Sequence, residues 1–404
     1  MGETSSQKHK NKVLVILYDF FTHHGGASRV AKSVAEMLID NGWDVHVLTA
    51  DNPVNSEEYF RGKVFSYNFD NSTFSLPTGK YLQLAFNLWR KATELHKIYR
   101  YNAVHAHHYL AGLTISSFKY GKEKGVNTVF TCHGIRKKHF SCYNQNNPYS
   151  TTDIDTAWHM GIEASMTEAM HILETQSICN SAAVTCVSNY LAQEIRSEWE
   201  GVKPIIIPNF YCIDVRRNRP IAIIKNKIAG KKRIIFVGRW EKTKGCDIVE
   251  GIARKLSTND NFVFIHAGLL IEPAEPSKII HLGHLADSQL LWLYRKADMM
   301  LMPSRYEPFG LTAIEAITNG TPVMAHRVGG LTEVINEGKN GWLLPNINID
   351  SWVSKILEYF SPGGGPLSRE QVSNSIDHNF TKKKSLELYS QLFNQITLKK
   401  EFKS

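Results

Sequence analysis

Apolar positions along this chain fall into two alternating rhythms: compact β-branched runs, and longer stretches in which apolar residues return every third or fourth place. Lys12–Tyr18 is a run of the first kind, and Ala27–Asn41 follows with helical spacing. Asp44–Thr49 then reads as strand, Tyr81–Tyr101 as helix, Ala103–His108 as strand, Tyr109–Lys124 as helix and Asn127–Cys132 as strand. Helical spacing dominates Met160–Ser177, before strand-like Ala183–Val187 and Pro204–Pro208. Strands alternating with helices predict βαβ units and a mostly parallel sheet.

A polar, basic stretch from Asp214 to Lys232 interrupts the alternation and reads as a seam between domains. Beyond it come strand Ile234–Gly238, helix Gly245–Ser257, strands Phe262–Ala267 and Ile279–Gly283, helix Asp287–Lys296 and strand Met299–Pro303. Helix Leu311–Asn319, strand Pro322–His326, helix Leu331–Glu337 and a short strand Trp342–Leu344 follow, and helices fill most of the remainder. The expected fold is α/β, with two doubly wound, Rossmann-like halves whose carboxyl-edge loops border a central cleft, where such sheets bind ligands.

A length of 404 residues agrees with roughly two domains. With 43% hydrophobic and 21% charged residues, the composition is that of a soluble globular protein. Met1 to Lys12 is polar and basic and lacks the apolar centre of a signal peptide, so a cytoplasmic location is expected. The six cysteines include no C-x-x-C pair, which argues against a disulfide framework or a zinc site.

The formal charge of +9 widens the choice of partners. Nucleic acid, anionic membrane or a phosphate-bearing substrate would each suit a basic surface. The basic clusters are scattered, at 136–138, 216–219, 231–233 and 382–384, and no nucleic-acid motif accompanies them. Nucleic acid is therefore disfavoured, while a peripheral contact with an anionic membrane and a merely solubilising surface both stay open.

Candidate chemistry sits at strand-to-helix junctions. In the segment 304–315, Glu307 lies on a turn before Pro308-Phe309-Gly310, and Glu315 lies about two helical turns further on. The amides that open such a helix suit an anion or a sugar hydroxyl, and two acids so spaced suit a long, two-ended ligand. Gly238 to Gly245 also joins a strand to a helix, and its Arg239 and Lys244 suit a diphosphate. His23-His24-Gly25-Gly26 lacks the G-x-G-x-x-G fingerprint, which disfavours a nicotinamide or flavin cofactor.

His133 closes a strand at the carboxyl edge, a place for a polar contact or proton transfer. His105, His107 and His108 superficially suggest a metal, but a strand sends His108 to the opposite face and no acid lies nearby in sequence. Phe86–Tyr101 reads as an amphipathic helix packed on the sheet in preference to a membrane-surface helix.

In order along the chain, Gly25-Gly26, His107, His133-Gly134, Val187-Ser188, Pro208-Asn209, Gly238-Arg239 and Lys244-Gly245 form a recognisable series. It continues through Gly283, Pro303-Ser304, Glu307-Pro308-Phe309-Gly310, Glu315-Ala316, Gly320-Thr321-Pro322-Val323, Gly329-Gly330 with Glu333, and Gly341. Across nearly the whole length the chain resembles the retaining glycosyltransferases of family four, the glycosyl transferases group 1, which have the GT-B fold.

The resemblance implies an acceptor-side domain over 1–208, a donor-binding domain over 209–381, and a last helix, beginning at Lys382, that crosses back to the first domain. It implies that Arg239 and Lys244 hold the donor diphosphate, that Glu307 with Phe309, Gly310, Leu311 and Thr312 grips donor sugar and phosphates, and that Glu315 accepts from the ribose hydroxyls. Gly26 would allow close approach of the diphosphate, His133 would contact the donor sugar, and His284 would border the base.

The implied reaction moves a sugar from a nucleotide sugar, UDP ahead of GDP, to a glycan, a lipid-linked saccharide or a small acceptor. No cofactor is expected beyond this co-substrate, and no metal, because two cations are already present. Nucleic acid as acceptor and an inert binding protein are the alternatives. The chain departs from the family pattern after Asn209, where Phe210 to Ile213 precede Asp214. The Asn-, Ser- and Tyr-rich segment 136–156 reads as an individual feature of the acceptor side.

Overall fold

The fold is that of a computed structural model, which describes residues 10–18, 26–50, 60–67, 77–122, 125–136, 138, 154–211, 219–221, 228–271, 278–364 and 367–401. The first half runs β1 (Lys12–Ile16), α1 (Gly26–Asp40), β2 (Asp44–Thr49), β3 (Lys63–Ser66), α2 (Pro77–Tyr99), β4 (Ala103–Ala106), α3 (Gly112–Tyr120), β5 (Asn127–Cys132) and α4 (Ile154–Asn180). It closes with β6 (Ala183–Cys186), α5 (Asn189–Glu198) and β7 (Ile205–Ile206). These strands form one parallel sheet in the order β3-β2-β1-β4-β5-β6-β7.

The second half runs β8 (Lys232–Val237), α6 (Cys246–Lys255), β9 (Phe262–Ala267), β10 (Ile279–His281), α7 (Asp287–Lys296), β11 (Met299–Met302), α8 (Leu311–Thr318), β12 (Val323–His326), α9 (Leu331–Val334) and β13 (Gly341–Leu344). Its six-stranded parallel sheet has the order β10-β9-β8-β11-β12-β13. Helices α10 (Ile349–Phe360), α11 (Arg369–Asn374) and α12 (Lys382–Glu401) end the described chain.

The central strands are apolar because helices cover both of their faces. All four residues of β11 are buried, as are Val13 to Ile16 of β1. In each sheet the strand order reverses beside its first strand, at β1/β4 and at β8/β11. The crevices at these reversals are where doubly wound sheets take ligands.

Helix α12 leaves the second half and packs on the first. Tyr389, Leu392, Phe393 and Ile396 are buried in one cluster with Val13, Val34, Leu38 and Trp43. Phe393 meets Trp43 edge-on with ring centroids 5.5 Å apart. Each such side chain contributes about 1.5–3 kcal/mol from burial, an upper figure because the unfolded chain is itself partly compact. Ser385 donates to the Pro208 carbonyl at 2.7 Å, and Asn127 donates to the Ile396 carbonyl at 2.9 Å.

Local differences from the predicted elements have identifiable causes. Strand β3 carries a polar, half-exposed K-V-F-S sequence at the sheet edge, so the apolar pattern does not reveal it. Helix α5 was also not predicted; its signal is Ser188, whose hydroxyl accepts from the Leu191 amide as an N-cap. Helix α4 extends beyond the predicted Met160–Ser177 at both ends, and α9 stops at Val334, short of the predicted Glu337. In α2, Leu84, Ala85, Leu88, Ala92 and Leu95 face the core while Leu82, Phe86 and Ile98 remain exposed. No described helix is long and apolar enough to cross a membrane. None of the four described cysteines is in a disulfide, and Cys142 and Cys212 lie outside the described residues.

Candidate active site

The two sheets present their carboxyl edges to one cleft of about 400 Å³. Its lining includes Gly26, His133, Arg239, Lys244, His284, Glu307, Phe309, Gly310, Leu311, Thr312 and Glu315, which is every residue to which the resemblance assigns a role toward the donor. His23, His24, Gly25, Asp214 and residues 139–153, which contain most of the expected acceptor-side segment, lie outside the described residues.

The cleft loops of the second sheet are braced against one another. Arg305, after β11, grips Asp247 with both terminal guanidinium nitrogens at 2.8 and 2.7 Å, and its amide donates to the Thr243 carbonyl at 2.9 Å. This brace sets the loop after β8 beside the loop after β11. Lys244 Nζ then stands 2.7 Å from Glu307 Oε2. Glu241 is buried and holds Arg239 Nη2 at 2.9 Å while accepting from Thr243 at 2.6 Å. Glu241 went unassigned in the sequence, although it lies two positions after Arg239 and is the nearest acid to it.

The turn carrying Glu307 depends on glycines. Gly310, with φ of 100°, caps the start of α8 in the left-handed region that side chains avoid. Gly330 passes directly beneath the turn: a Cβ there would lie 2.5 Å from both the Phe309 Cα and the Pro308 carbonyl oxygen. The Gly330 amide donates to the Glu307 carbonyl at 2.9 Å. Leu311 and Thr312, which open α8, line the cleft, and the first amides of a helix have no acceptor inside it.

On the first sheet's side of the cleft, His107 Nδ1 and His133 Nε2 share a hydrogen bond of 3.1 Å, and their rings stack. His105 lies behind them, its ring 4.1 Å from that of His107, and bonds Thr131 at 2.8 Å. Burial lowers all three imidazoles, His105 to about 3 and His133 to about 4, so they are neutral at neutral pH. His108 leaves the group, caps the following turn and stacks on Tyr18. Among the described residues no cluster of three or more His, Cys, Asp or Glu has the arrangement of a metal site.

Glu174 on α4 also lines the cleft and was not found from the sequence. Its carboxylate accepts from the Arg136 amide at 3.1 Å, and burial pushes its acid up to about 7. The one available signal was an acid among apolar helical positions: Met170, Leu173 and Ile178 around it are buried.

The domains meet through the same loops. Ser188 donates to the Pro308 carbonyl at 2.6 Å, and Glu333 accepts from the amides of Asn189 and Tyr190 at 3.0 and 2.8 Å. Tyr306 accepts from the Ile135 amide at 2.9 Å. Where the chain departs from the family pattern, Phe210 is fully buried in the first domain's core while Tyr211 accepts from Asn319 of the second at 3.1 Å. The altered hinge therefore has a hold on each domain.

Glu315 is almost fully buried, and both its oxygens are engaged. Oε1 accepts from Arg29 Nη1 at 3.0 Å, across the cleft, and Oε2 accepts from Tyr294 at 2.8 Å. Arg29 also binds Asp287 at 2.7 Å. The space beside Gly26 is filled by Leu311, whose Cδ2 would lie 2.6 Å from an added Cβ.

Comparison with known proteins places the chain among sugar-transferring enzymes. Residues 218–376 match the glycosyl transferases group 1, and residues 24–215 match glycosyltransferase family 4. An uncharacterized glycosyltransferase of Methanocaldococcus jannaschii is 26% identical over 91% of both chains. The sucrose-phosphate synthase of Thermosynechococcus elongatus superposes with a TM-score of 0.72 at 18% identity, covering 96% of this chain and 99% of that one. The Anabaena protein HepE, solved in complex with UDP-glucose, superposes with a TM-score of 0.71 at 16% identity, covering 95% and 99%. The GT-B architecture of two Rossmann-like domains is thus shared.

Proposed function

The chain belongs to the family 4, group 1 glycosyltransferases, and we propose that it moves a sugar from a nucleoside diphosphate donor to an acceptor hydroxyl with retention of anomeric configuration. The observation that carries this reading is the joining of Arg239, Lys244, Glu307, Glu315 and the start of α8 on one cleft wall. Two fixed cations suit a departing diphosphate, whose charge grows as the sugar takes on oxocarbenium character. In this reading Arg239, tethered by Glu241, and Lys244, tethered by Glu307, bind that diphosphate, so the reaction proceeds without a metal ion.

Glu307 and the amides from Phe309 to Thr312 grip donor sugar and phosphate, Glu315 takes the ribose diol, His284 borders the base, and His133 reaches the sugar from the acceptor side. The anomeric carbon loses its bond to the diphosphate oxygen and gains one to the acceptor oxygen on the same face. The acceptor proton passes to the departing phosphate oxygen. A double displacement would need a carboxylate nucleophile beside the anomeric carbon. The pairing of Glu307 with Lys244 favours a binding role for that acid instead.

UDP sugars are the first donors to test, in line with the Anabaena neighbour, followed by GDP sugars. The acceptor class is a glycan, a lipid-linked saccharide or a small hydroxylated molecule. A thermal-shift screen of nucleotide sugars, read by ligand-linked stabilisation, tests the donor assignment. Stabilisation by one nucleotide-sugar class, with EDTA-resistant transfer to a saccharide, is expected. Donor binding without hydrolysis or transfer would sink the enzymatic reading. Strongly salt-sensitive transfer to duplex DNA would replace the saccharide acceptor with nucleic acid.

A further inference from the structure

Gly26 and Arg29 lie about one helical turn apart at the start of α1, and Leu311 and Glu315 lie about one turn apart at the start of α8. The structure pairs them in register, Gly26 against Leu311 and Arg29 against Glu315. The first turn of the opening helix in one domain therefore lies along the first turn of the donor helix in the other. We propose that Arg29 is a positioning residue for donor recognition, fixing the Glu315 carboxylate from across the cleft so that the ribose-binding acid is set only when the domains are together. This rests on the reading of Glu315 as the ribose acid.

Acceptor capacity supports the assignment. A carboxylate has about four lone-pair sites. Arg29 takes one on Oε1 and Tyr294 one on Oε2, which leaves each oxygen able to accept one further hydroxyl. A vicinal diol presents two hydroxyls together. Asp287, at the start of α7, binds the second arm of the Arg29 fork and fixes its plane. A lysine offers a single nitrogen and lacks the planar two-nitrogen fork that meets the two acids here.

Electrostatics point the same way. Burial raises the Glu315 acid, and Asp287 raises it further, while Arg29 is the largest opposing influence and the Tyr294 hydroxyl adds to it. The Tyr211 phenol, bonded to Asn319, is the other titratable group that senses Glu315. Without Arg29 the acid would hold its proton to higher pH and lose acceptor capacity. Its carboxylate form, and with it donor binding, would return as pH rises.

The test uses the full-length protein and the nucleotide sugar that most stabilises the wild type. Arg29→Met should weaken donor binding by about ten- to a hundredfold near neutral pH, the scale of a lost hydrogen bond to a charged group. The deficit should shrink as pH rises, the acceptor KM should stay within about twofold, and Arg29→Lys should recover part of the loss. A structural loosening would move donor and acceptor constants alike, without a pH profile. If Arg29→Met does not fold, Asp287→Ala serves instead: it keeps the Arg29–Glu315 pair, releases the second arm of the fork, and should weaken donor binding to a smaller extent. Unchanged donor affinity, tighter binding or a pH-independent loss overturns the inference alone. Failure of the wild type to bind any nucleotide sugar overturns the site reading, and the inference with it.

Discussion

Lys244 Nζ and Glu307 Oε2 are 2.7 Å apart although 63 positions separate them in sequence. The pair joins the loop after β8 to the loop after β11 at the strand reversal of the second sheet, so a change at either residue alters both loops. Lys244→Ala and Glu307→Ala are each expected to lower transfer by about a hundredfold or more, the scale of removing one preorganised electrostatic contact. Circular dichroism should show both variants folded. Wild-type turnover in either would refute the assignment.

The three clustered histidines make a prediction about acid. Folding keeps His105, His107 and His133 neutral, with His105 down to about 3 and His133 down to about 4, whereas the unfolded chain takes up protons near 6.5. Groups depressed in the folded state stabilise it above the unfolded pKa and lose that contribution as pH falls. Denaturant unfolding should show stability declining from pH 6.5 towards 4, and His133→Gln should reduce the slope. An unchanged slope in that variant would remove His133 from the account.

Glu174 acts with the opposite sign. Its acid is raised from 4.5 to about 7 by burial, so the folded chain holds a proton that the unfolded chain has released. The contribution is complete below 4.5 and is lost as pH rises through 7. Glu174→Gln should therefore gain relative to wild type across that window, by a few kcal/mol at pH 8. Parallel stability curves for the two proteins would show that Glu174 does not titrate as described.

Tyr306→Phe isolates the docking of the domains. The Tyr306 hydroxyl accepts from the amide of buried Ile135 and donates to Glu194 at 3.3 Å. Removing it strands a buried donor, at a cost of about 1–3 kcal/mol. Chemical denaturation should report that loss, and small-angle scattering should report a wider cleft. A melting curve identical to wild type would contradict it.

The hinge yields a fourth structural test. Phe210→Gly empties a fully buried position in the first domain, at the point where the chain departs from the family pattern. A loss of about 3–5 kcal/mol is expected, as for other large-to-small core changes. Stability equal to wild type would show that the first domain does not depend on this anchor.

The sequence by itself determined both halves of the fold. Buried parallel strands must be apolar along their whole length and the helices between them apolar on one stripe, so the pattern of β1, β2, β4, β5, β8, β9 and β11 was readable. The half-exposed β3 escaped because only Val64 and Phe65 of its four residues are apolar, whereas α5 does carry a signal, Leu191, Ala192 and Ile195 at helical spacing behind the Ser188 cap. The candidate donor residues were readable for a related reason. Glycines at positive φ, cations and acids sit at strand-to-helix turns, and their spacing is local.

Tertiary structure alone decided the partners. Nothing local ties Lys244 to Glu307, Arg29 to Glu315, His107 to His133 or Glu174 to the Arg136 amide, since each pair joins different loops or helices. Chain pattern records which groups are available at each turn. Which carboxylate meets which cation depends on how two sheets pack across a cleft, and that is fixed by burial and loop bracing summed over the whole molecule.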